Sequence, residues 1–467
     1  MEATVTKSVS GVVLRNEKGS DFRGSLVRVG RDSIVFEVYS PYRVVEPGES
    51  LQNLTVLRDG QPVYTGGAVV GSVLSTGLMS IITATPLGAW PKPNGVMSTL
   101  GIGGPGSLLV PGFSDEQPLE ASYQIAVSNI RSFLNQLSQW TAPIDLLAEV
   151  SDSDQAPKAM IPMAEELHKV VNPRLVQLFG KWEEAWREVP GEAAAAHRAF
   201  AQRELHPFTL CAPFVHRTYT KPLGYAGDYE MVNLILRNAM EGPSTYARVL
   251  HPFFIRTDAA TGHRNRIAKL DDYLRREVRR TVSEGRDLRV MNLGCGPCSE
   301  IERFIRNDSL SERCEFTLMD FNAETIEYAR MRLEAACSES GRSPRIRFVH
   351  KSINDVLREA IRTRDTSMQA QYDMVYCAGL FDYLSDKVCA RLMQLMSSWL
   401  AADGMVLSTN VHPRHTVHAI LEDLLEWHLI LRTEQEMLAL AAPNMGEPTI
   451  EAEEAGVNIF LTQRKTG

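Results

Sequence analysis

The stretch Leu293-Gly-Cys-Gly-Pro-Cys-Ser-Glu-Ile301 admits two chemistries. Cys295 and Cys298 have the spacing of a dithiol redox centre. Gly294 and Gly296 equally fit the strand-to-helix turn on which cofactors are bound. Both readings put the turn after a strand and before a helix, so the surrounding chain has to decide. Leu288 to Leu293, Cys314 to Asp320, Arg345 to His350, Tyr372 to Cys377 and Gly404 to Thr409 are short runs of buried-strand type. Between them lie helical patterns at Ser299 to Ile305, Ala323 to Ala336, Asp355 to Ile361 and Lys387 to Leu400. Strands alternating with helices at this spacing predict an α/β fold, with a doubly wound, Rossmann-like sheet over residues 286–467.

Ligands of such sheets bind beyond the carboxyl ends of the strands. Gly294 and Gly296 let the backbone approach a ligand, and the helix that follows offers its free N–H groups. Asp320 closes the second strand, 24 residues after Gly296. A carboxylate there can accept both hydroxyls of a ribose, and with an ordinary pKa of roughly 3.9 it is ionised at neutral pH. A dithiol centre explains neither Asp320 nor the stretch Ser352-Ile-Asn-Asp355 after the third strand. A dinucleotide fingerprint would require a third glycine where Ser299 stands.

The remainder divides into a β part and a helical part. Residues 1–87 hold β-branched and aromatic runs separated by turns, among them a hairpin pattern around Asp59-Gly60. With no helix-length periodicity, a small barrel is the economical way to remove the sheet edges. Residues 88–115 are rich in Gly and Pro and read as a linker; Gly101-Ile-Gly-Gly-Pro-Gly106 lacks the Lys-Ser/Thr ending of a nucleotide loop. Residues 116–285 carry helical periodicity, ending in a helix from His263 to Val282 with Ile267, Leu270, Leu274 and Val278 on one side. The arginines on its other face, Arg275, Arg276, Arg279 and Arg280, read as a solvated surface.

Composition narrows the function classes. A net charge of −8 argues against a nucleic-acid partner. No apolar run reaches the ~18 residues of a membrane span, and the first residues lack the apolar stretch of a signal peptide. Seven scattered cysteines do not resemble a disulfide framework. A cytoplasmic setting is expected, and a homodimer is compatible with all of this.

The pattern Leu-Gly-Cys-Gly-Pro at 293–297 resembles the glycine loop of the class I S-adenosylmethionine-dependent methyltransferases, over roughly residues 286–410. The resemblance implies that Asn292, Gly294, Cys295 and Gly296 wrap the methionine end of S-adenosyl-L-methionine. It further implies Asp320 on the ribose, Phe321 near the adenine, Ile353 and Asn354 bordering the base, and Cys377, Ala378 and Gly379 under the methyl donor. Three stretches narrow it: Lys221-Pro-Leu-Gly-Tyr-Ala-Gly-Asp-Tyr-Glu230, Cys377-Ala-Gly-Leu-Phe-Asp-Tyr383 and Trp427-His-Leu-Ile-Leu-Arg-Thr433. Together they look like a bacterial family labelled for synthesis of 3-hydroxypalmitic acid methyl ester. That implies methyl transfer to a small-molecule carboxylic acid. The N-terminal part resembles PilZ domains, which bind cyclic di-GMP. Arg15, however, has no neighbouring arginine, and Asp32-Ser-Ile-Val-Phe-Glu37 puts apolar residues where that family's second motif lies. A structural, dimerising or substrate-covering role is the expectation for it.

For the acceptor side the candidates are Tyr225, Asp228, Tyr383, His412 and Arg414. Asp382 and Tyr383 follow the fourth strand, where such sheets place acceptor contacts. Arg414 is an arginine fork suited to a carboxylate. His412, His415 and His418 are spaced three and six apart, which does not keep all three on one helix face, so no metal is expected. Trp427 and Arg432 either close the pocket or pack on the sheet. Competing readings are an N- or O-methyltransferase of another small metabolite, a cyclic-di-GMP-responsive regulator on a methyltransferase-like scaffold, and a redox module.

If the turn serves a methyl donor, calorimetry should show binding of S-adenosylhomocysteine and no binding of NAD. Asp320→Ala should weaken that binding by about 1–3 kcal/mol, the scale for a lost buried polar partner.

Overall fold

The computed structural model describes residues 11–16, 21–29, 33–39, 45–46, 48–58, 61–75, 79–87, 119–150, 156–362 and 371–466. Alternating burial in the first part closes into a barrel. Its strands are β1 (Gly11–Arg15), β2 (Asp21–Val29), β3 (Ile34–Tyr39), β4 (Ser50–Arg58), β5 (Gln61–Ser75) and β6 (Met79–Pro86). They follow the order β1-β2-β3-β6-β5-β4, with β4 hydrogen-bonded back to β1. Inward-facing Val12, Leu14, Phe36, Leu51, Leu54, Val56 and Ile82 fill the interior. The runs around Val63 and Val69 form one strand of 15 residues, and shifts in its register with both neighbours bend it around the barrel. The Asp59-Gly60 turn and the 88–115 linker lie outside the described residues.

Among the described residues seven helices follow: α1 (Ala121–Val150), α2 (Ala156–Arg187), α3 (Ala194–Thr209), α4 (Pro213–Thr220), α5 (Tyr229–Arg237), α6 (Thr245–Ile255) and α7 (Asp258–Ser283). Helices α4 and α6 were not expected. Each is short, and Pro252 inside α6 disguises its pattern, but both have start signals. Pro213 opens α4, and the Ser244 side chain accepts from the Ala247 amide at 3.1 Å.

The third part alternates as expected: β7 (Leu288–Leu293), α8 (Ser299–Asn307), β8 (Cys314–Asp320), α9 (Ala323–Ser340), β9 (Arg345–His350), α10 (Ile353–Arg362), β10 (Tyr372–Cys377), α11 (Asp386–Trp399) and β11 (Leu400–Val411). Leu400, expected to end α11, begins β11 instead and pairs with Tyr372. After the short α12 (Glu434–Leu438), β12 (Thr449–Ala452) and β13 (Asn458–Arg464) add two antiparallel strands that sequence reasoning missed. The sheet order is β12-β13-β11-β10-β7-β8-β9. The winding reverses between β7 and β10, which opens a crevice at their carboxyl ends. Helices cover both faces, so β10 is buried along its whole length.

The helices and the sheet share a core. Val417, Ile420, Leu421, Leu424, Leu425 and Leu429, from the chain after β11, pack among Phe179, Trp182, Phe214, Leu250 and Phe254 of the helices. The sheet unit expected to begin at residue 286 therefore sends a long excursion back into the helical part. Among the described residues no helix is long and apolar enough to cross a membrane.

Glu183 of α2 fastens this excursion. Its carboxylate accepts from the amides of Ala419 at 2.9 Å and Ile420 at 3.2 Å, where a π-helical turn over Ile420–Leu424 leaves free N–H groups. Burial pushes its carboxyl from the usual 4.5 up to about 7. The folded state thus holds a proton at a pH where the unfolded chain has lost it. This contribution to stability is full below about 4.5 and is lost as pH rises through about 7. Urea unfolding at pH 5 and pH 8 should show the native protein losing on the order of 2–3 kcal/mol from this group. Glu183→Gln should show a shallower loss over the same interval.

Candidate active site

The crevice at the ends of β7, β8 and β10 opens into one cavity of about 1780 Å³, counting its open mouth. Asn292, Gly294, Cys295, Gly296, Asp320, Phe321, Ile353, Ala378 and Gly379 all line it. Of the expected cofactor residues, Cys377 is fully buried in β10 behind this surface. The side chain of Asn354 lies outside the described residues.

The turn has the conformation that glycine permits. Gly294 and Gly296 have φ of +66° and +55°. Asp320 then locks it: Oδ2 accepts from the Gly296 amide at 3.1 Å and Oδ1 from the Asn322 amide at 3.0 Å. Burial raises the pKa of this carboxyl, and those amide bonds oppose the rise. Below the turn, Asn292 Nδ2 donates to the Tyr376 hydroxyl at 2.9 Å and to Glu300 at 3.2 Å. The Tyr376 hydroxyl donates to the same Glu300 oxygen at 2.6 Å. Asn292 Oδ1 is buried and has no protein partner.

Arg266, which sequence reasoning missed, is the buried cation of the cavity. It is 7% exposed, and its Nη2 donates to the His263 ring at 3.0 Å. Its Nη1 lies 3.3 Å from Asn458 Oδ1 and 4.0 Å from Asp382, while its Nε has no partner. The guanidinium presses on Gly379, where a Cβ would sit 3.1 Å from Nη2. Burial lowers its pKa, but a guanidinium remains charged. His263 is driven well below its ordinary range, first by burial and then by Arg266, so it stays neutral.

These groups fit S-adenosylmethionine. Asp320 would hold the ribose diol, the orphaned Asn292 Oδ1 the ammonium, and Arg266, whose Nε lacks a partner, the carboxylate of the amino-acid end. Phe321, whose ring lies 5.6 Å from that of Tyr225, would border the adenine. Among the described residues no group of three or more His, Cys, Asp or Glu could hold a metal.

The acceptor candidates divide. Tyr225 and Tyr383 line the cavity. The Tyr383 hydroxyl accepts from Trp427 Nε1 at 2.9 Å, which leaves its own proton free to donate. Asp228 lies outside the lining. It caps α5, accepting from the Met231 amide at 2.8 Å, and pairs with Arg217 at 2.8 Å. His412 and Arg414 also lie outside it, because both turn to Glu434, His412 at 3.0 Å. His415 stacks on His418, and His418 on Trp186. Asp382 is buried, its Oδ1 accepting from the Val411 amide at 2.7 Å; burial raises its carboxyl to about 6 against the pull of Arg266.

The stretch Trp427–Thr433 fastens the turn that carries Asp382 and Tyr383. The Ile430 amide donates to the Asp382 carbonyl at 2.7 Å. Arg432 is buried and donates to the carbonyls of Phe381 at 2.7 Å and Leu384 at 2.6 Å, and to Asp386 at 2.8 Å. Trp427 therefore closes the pocket, while Arg432 packs behind it.

Residues 284–454 match the family model of the methyltransferase domain. No protein of curated function matches the chain. Solved structures match parts of the chain at low identity and with TM-scores below 0.5. One is a protein from Bordetella parapertussis described as a possible exported protein, at 18% identity and a TM-score of 0.42, covering 54% of this chain and 86% of that one. Another is magnesium protoporphyrin IX methyltransferase from Synechocystis with S-adenosylhomocysteine, at 12% and 0.34, covering 54% and 98%. A third is the N-methyltransferase NodS from Bradyrhizobium japonicum, at 16% and 0.29, covering 44% and 88%. Residues 284–454 of the chain are thus a methyltransferase domain.

The cysteines of the turn give a further test. Both thiols face the Gly296 carbonyl at 3.7 Å. Burial drives Cys298 well above its ordinary range. At Cys295 a hydrogen bond from Cys298 lowers the pKa, but burial leaves it raised. A thiolate is disfavoured at both positions. Cys298→Ser should therefore keep its affinity for S-adenosylhomocysteine within a few-fold and behave alike with and without reductant. Loss of activity in both single serine variants, with a disulfide seen by mass spectrometry during turnover, would restore the dithiol reading.

Proposed function

We propose that the enzyme methylates the carboxylate of an amphipathic small molecule to give a methyl ester, with a hydroxylated fatty acid as the acceptor that the sequence resemblance suggests. One observation carries this reading: among the described residues that line the cavity, each acid and histidine is held neutral or already engaged by other groups of the protein. His263 is held neutral and far below its ordinary range. Asp382 is engaged by the Val411 amide and faces Arg266. Glu300 holds Tyr376 and Asn292. An amine or alcohol acceptor would need its proton removed, whereas a carboxylate arrives ionised.

The far wall supports the amphipathic part. Phe214, Met231, Val232, Ile235 and Phe254 from the helices meet Val417, Ile420 and Leu421 there, forming an apolar chamber beyond the glycine turn. S-adenosylmethionine supplies an electrophilic methyl group when bound. The chain's own part is to orient and to exclude water. Tyr383 and Tyr225 also line the cavity, and burial raises both pKa values, so both hydroxyls stay protonated. They would hold the acceptor oxygens, while the apolar wall holds the tail. The barrel then serves as a cover for this site.

Acceptors should be screened with labelled methyl donor and the products identified by mass spectrometry. A methyl ester is expected, and Tyr383→Phe should lower kcat by about 10–100-fold with unchanged affinity for S-adenosylhomocysteine. The rate should rise through about pH 6, because ionised Asp382 holds the Val411 amide and faces Arg266 and so fixes the turn that carries Tyr383, without taking a proton from the acceptor. It should then stay flat into the alkaline range, since no acceptor proton has to leave. A product methylated on nitrogen, or a second rise near the pKa of an acceptor, would end the carboxylate assignment.

A further inference from the structure

Several barrel side chains meet the segment after β11, and Arg28 forms an ion pair there. Arg28 of β2 projects from the outer face of the barrel into the segment after β11. Its Nη2 pairs with Glu422 Oε1 at 2.6 Å, and its Nη1 donates to the Leu429 carbonyl. The pair is largely buried, at 25% and 8% exposure. One guanidinium thereby clamps both ends of the strap between residues 422 and 429. Trp427 lies inside that span and donates to the Tyr383 hydroxyl.

Other contacts leave this strap little slack. The Trp427 amide donates to the Leu421 carbonyl at 2.7 Å. Lys221 Nζ donates to the Glu426 carbonyl at 2.8 Å, and Ser33 Oγ of the barrel lies 3.3 Å from His428 Nδ1. A Cβ at Gly227 would collide with the Tyr383 hydroxyl and lie 3.5 Å from the Trp427 ring, so loop and strap meet in direct contact. A second cavity lies between barrel and strap, lined by Arg28, Val35 and Ile81. Tyr225, Asp382, Tyr383, Trp427 and Leu429 line both this cavity and the active-site cavity. The partition between them is one layer of residues thick, and the barrel backs it.

We propose that Arg28 is a positioning residue for methyl transfer: from the barrel it fixes the 422–429 strap, and through Trp427 it aims the Tyr383 hydroxyl at the acceptor. The inference rests on the acceptor-side role of Tyr383, so it has one test that needs no acceptor. Hydrogen exchange on the full chain should show the amides of Trp427 and Ile430 losing protection in Arg28→Met, while those of β3 and β6 keep theirs. Should the barrel amides also exchange faster, Glu422→Gln removes the same ion pair from the other side and must give the strap-only pattern. Unchanged protection of the strap in Glu422→Gln and Arg28→Met overturns the proposal, whatever the acceptor proves to be.

The kinetic test uses whichever acceptor the screen identifies. Arg28→Met should cut kcat/KM for the acceptor by about tenfold and leave the Kd for S-adenosylhomocysteine unchanged. In a Trp427→Phe background the same substitution should cost less than about twofold more, because residues acting through one another are not additive. Additive losses from these two side chains, or an equal loss of S-adenosylhomocysteine affinity, would mean that Arg28 only holds the barrel in place.

Discussion

The carboxylate of Asp320 holds together the part of the molecule on which everything else converges. Its two oxygens bind the amides of Gly296 and Asn322, and its own carbonyl receives the Lys351 amide at 2.9 Å. Three loops, after β7, β8 and β9, are therefore joined at one residue. They meet where the sheet reverses its winding, so the crevice is framed by backbone rather than by mobile side chains. The desolvation that raises the Asp320 pKa is the cost of this arrangement. The amide bonds to it offset part of that cost.

The turn after β10 is built on a different principle. Phe381 and Leu384 anchor it in the core, and a distant stretch holds its backbone. Arg432 does this with a fully used guanidinium, donating to two carbonyls, to Asn410 and to Asp386. Arg266 is the opposite case, a buried guanidinium with an edge left over. A buried cation whose donors are not all used is a costly feature. It is explained when a ligand carboxylate completes its shell. The two arginines look alike in a sequence and differ only in what surrounds them.

The fold was legible because its signals are local. The periodicity of β7 to β11 and their intervening helices comes from burial on both faces of a parallel sheet, and the glycine turn is a local backbone requirement. The short α4 and α6 were not legible, and neither were β12 and β13. They are too brief for periodicity to register, and they exist because the sheet edge and the helical core give them partners. On the donor side the glycine turn, Asp320 and Phe321 fall on one lining. On the acceptor side Tyr225 and Tyr383 face the cavity, whereas Asp228, His412 and Arg414 find partners elsewhere. A hydrogen-bonding side chain is promised to whichever partner lies nearest, and Glu434 and Arg217 are near only in three dimensions.

Arg266 shows where the boundary lies. It stands four residues before Leu270 on the buried stripe of α7, so the sequence itself marks a charge on an apolar face. What the sequence could not supply is why that charge is tolerated. By itself the sequence determined the sheet, the cofactor turn and the acid that closes it, because these depend on residues close along the chain and on backbone conformations that few residues adopt. Only the tertiary structure decided which side chains line the cavity, that the chain after β11 returns to wall it, and that Arg28 of the barrel pairs with Glu422 of that chain. Those outcomes depend on contacts across hundreds of residues, where packing rather than local preference selects the partner.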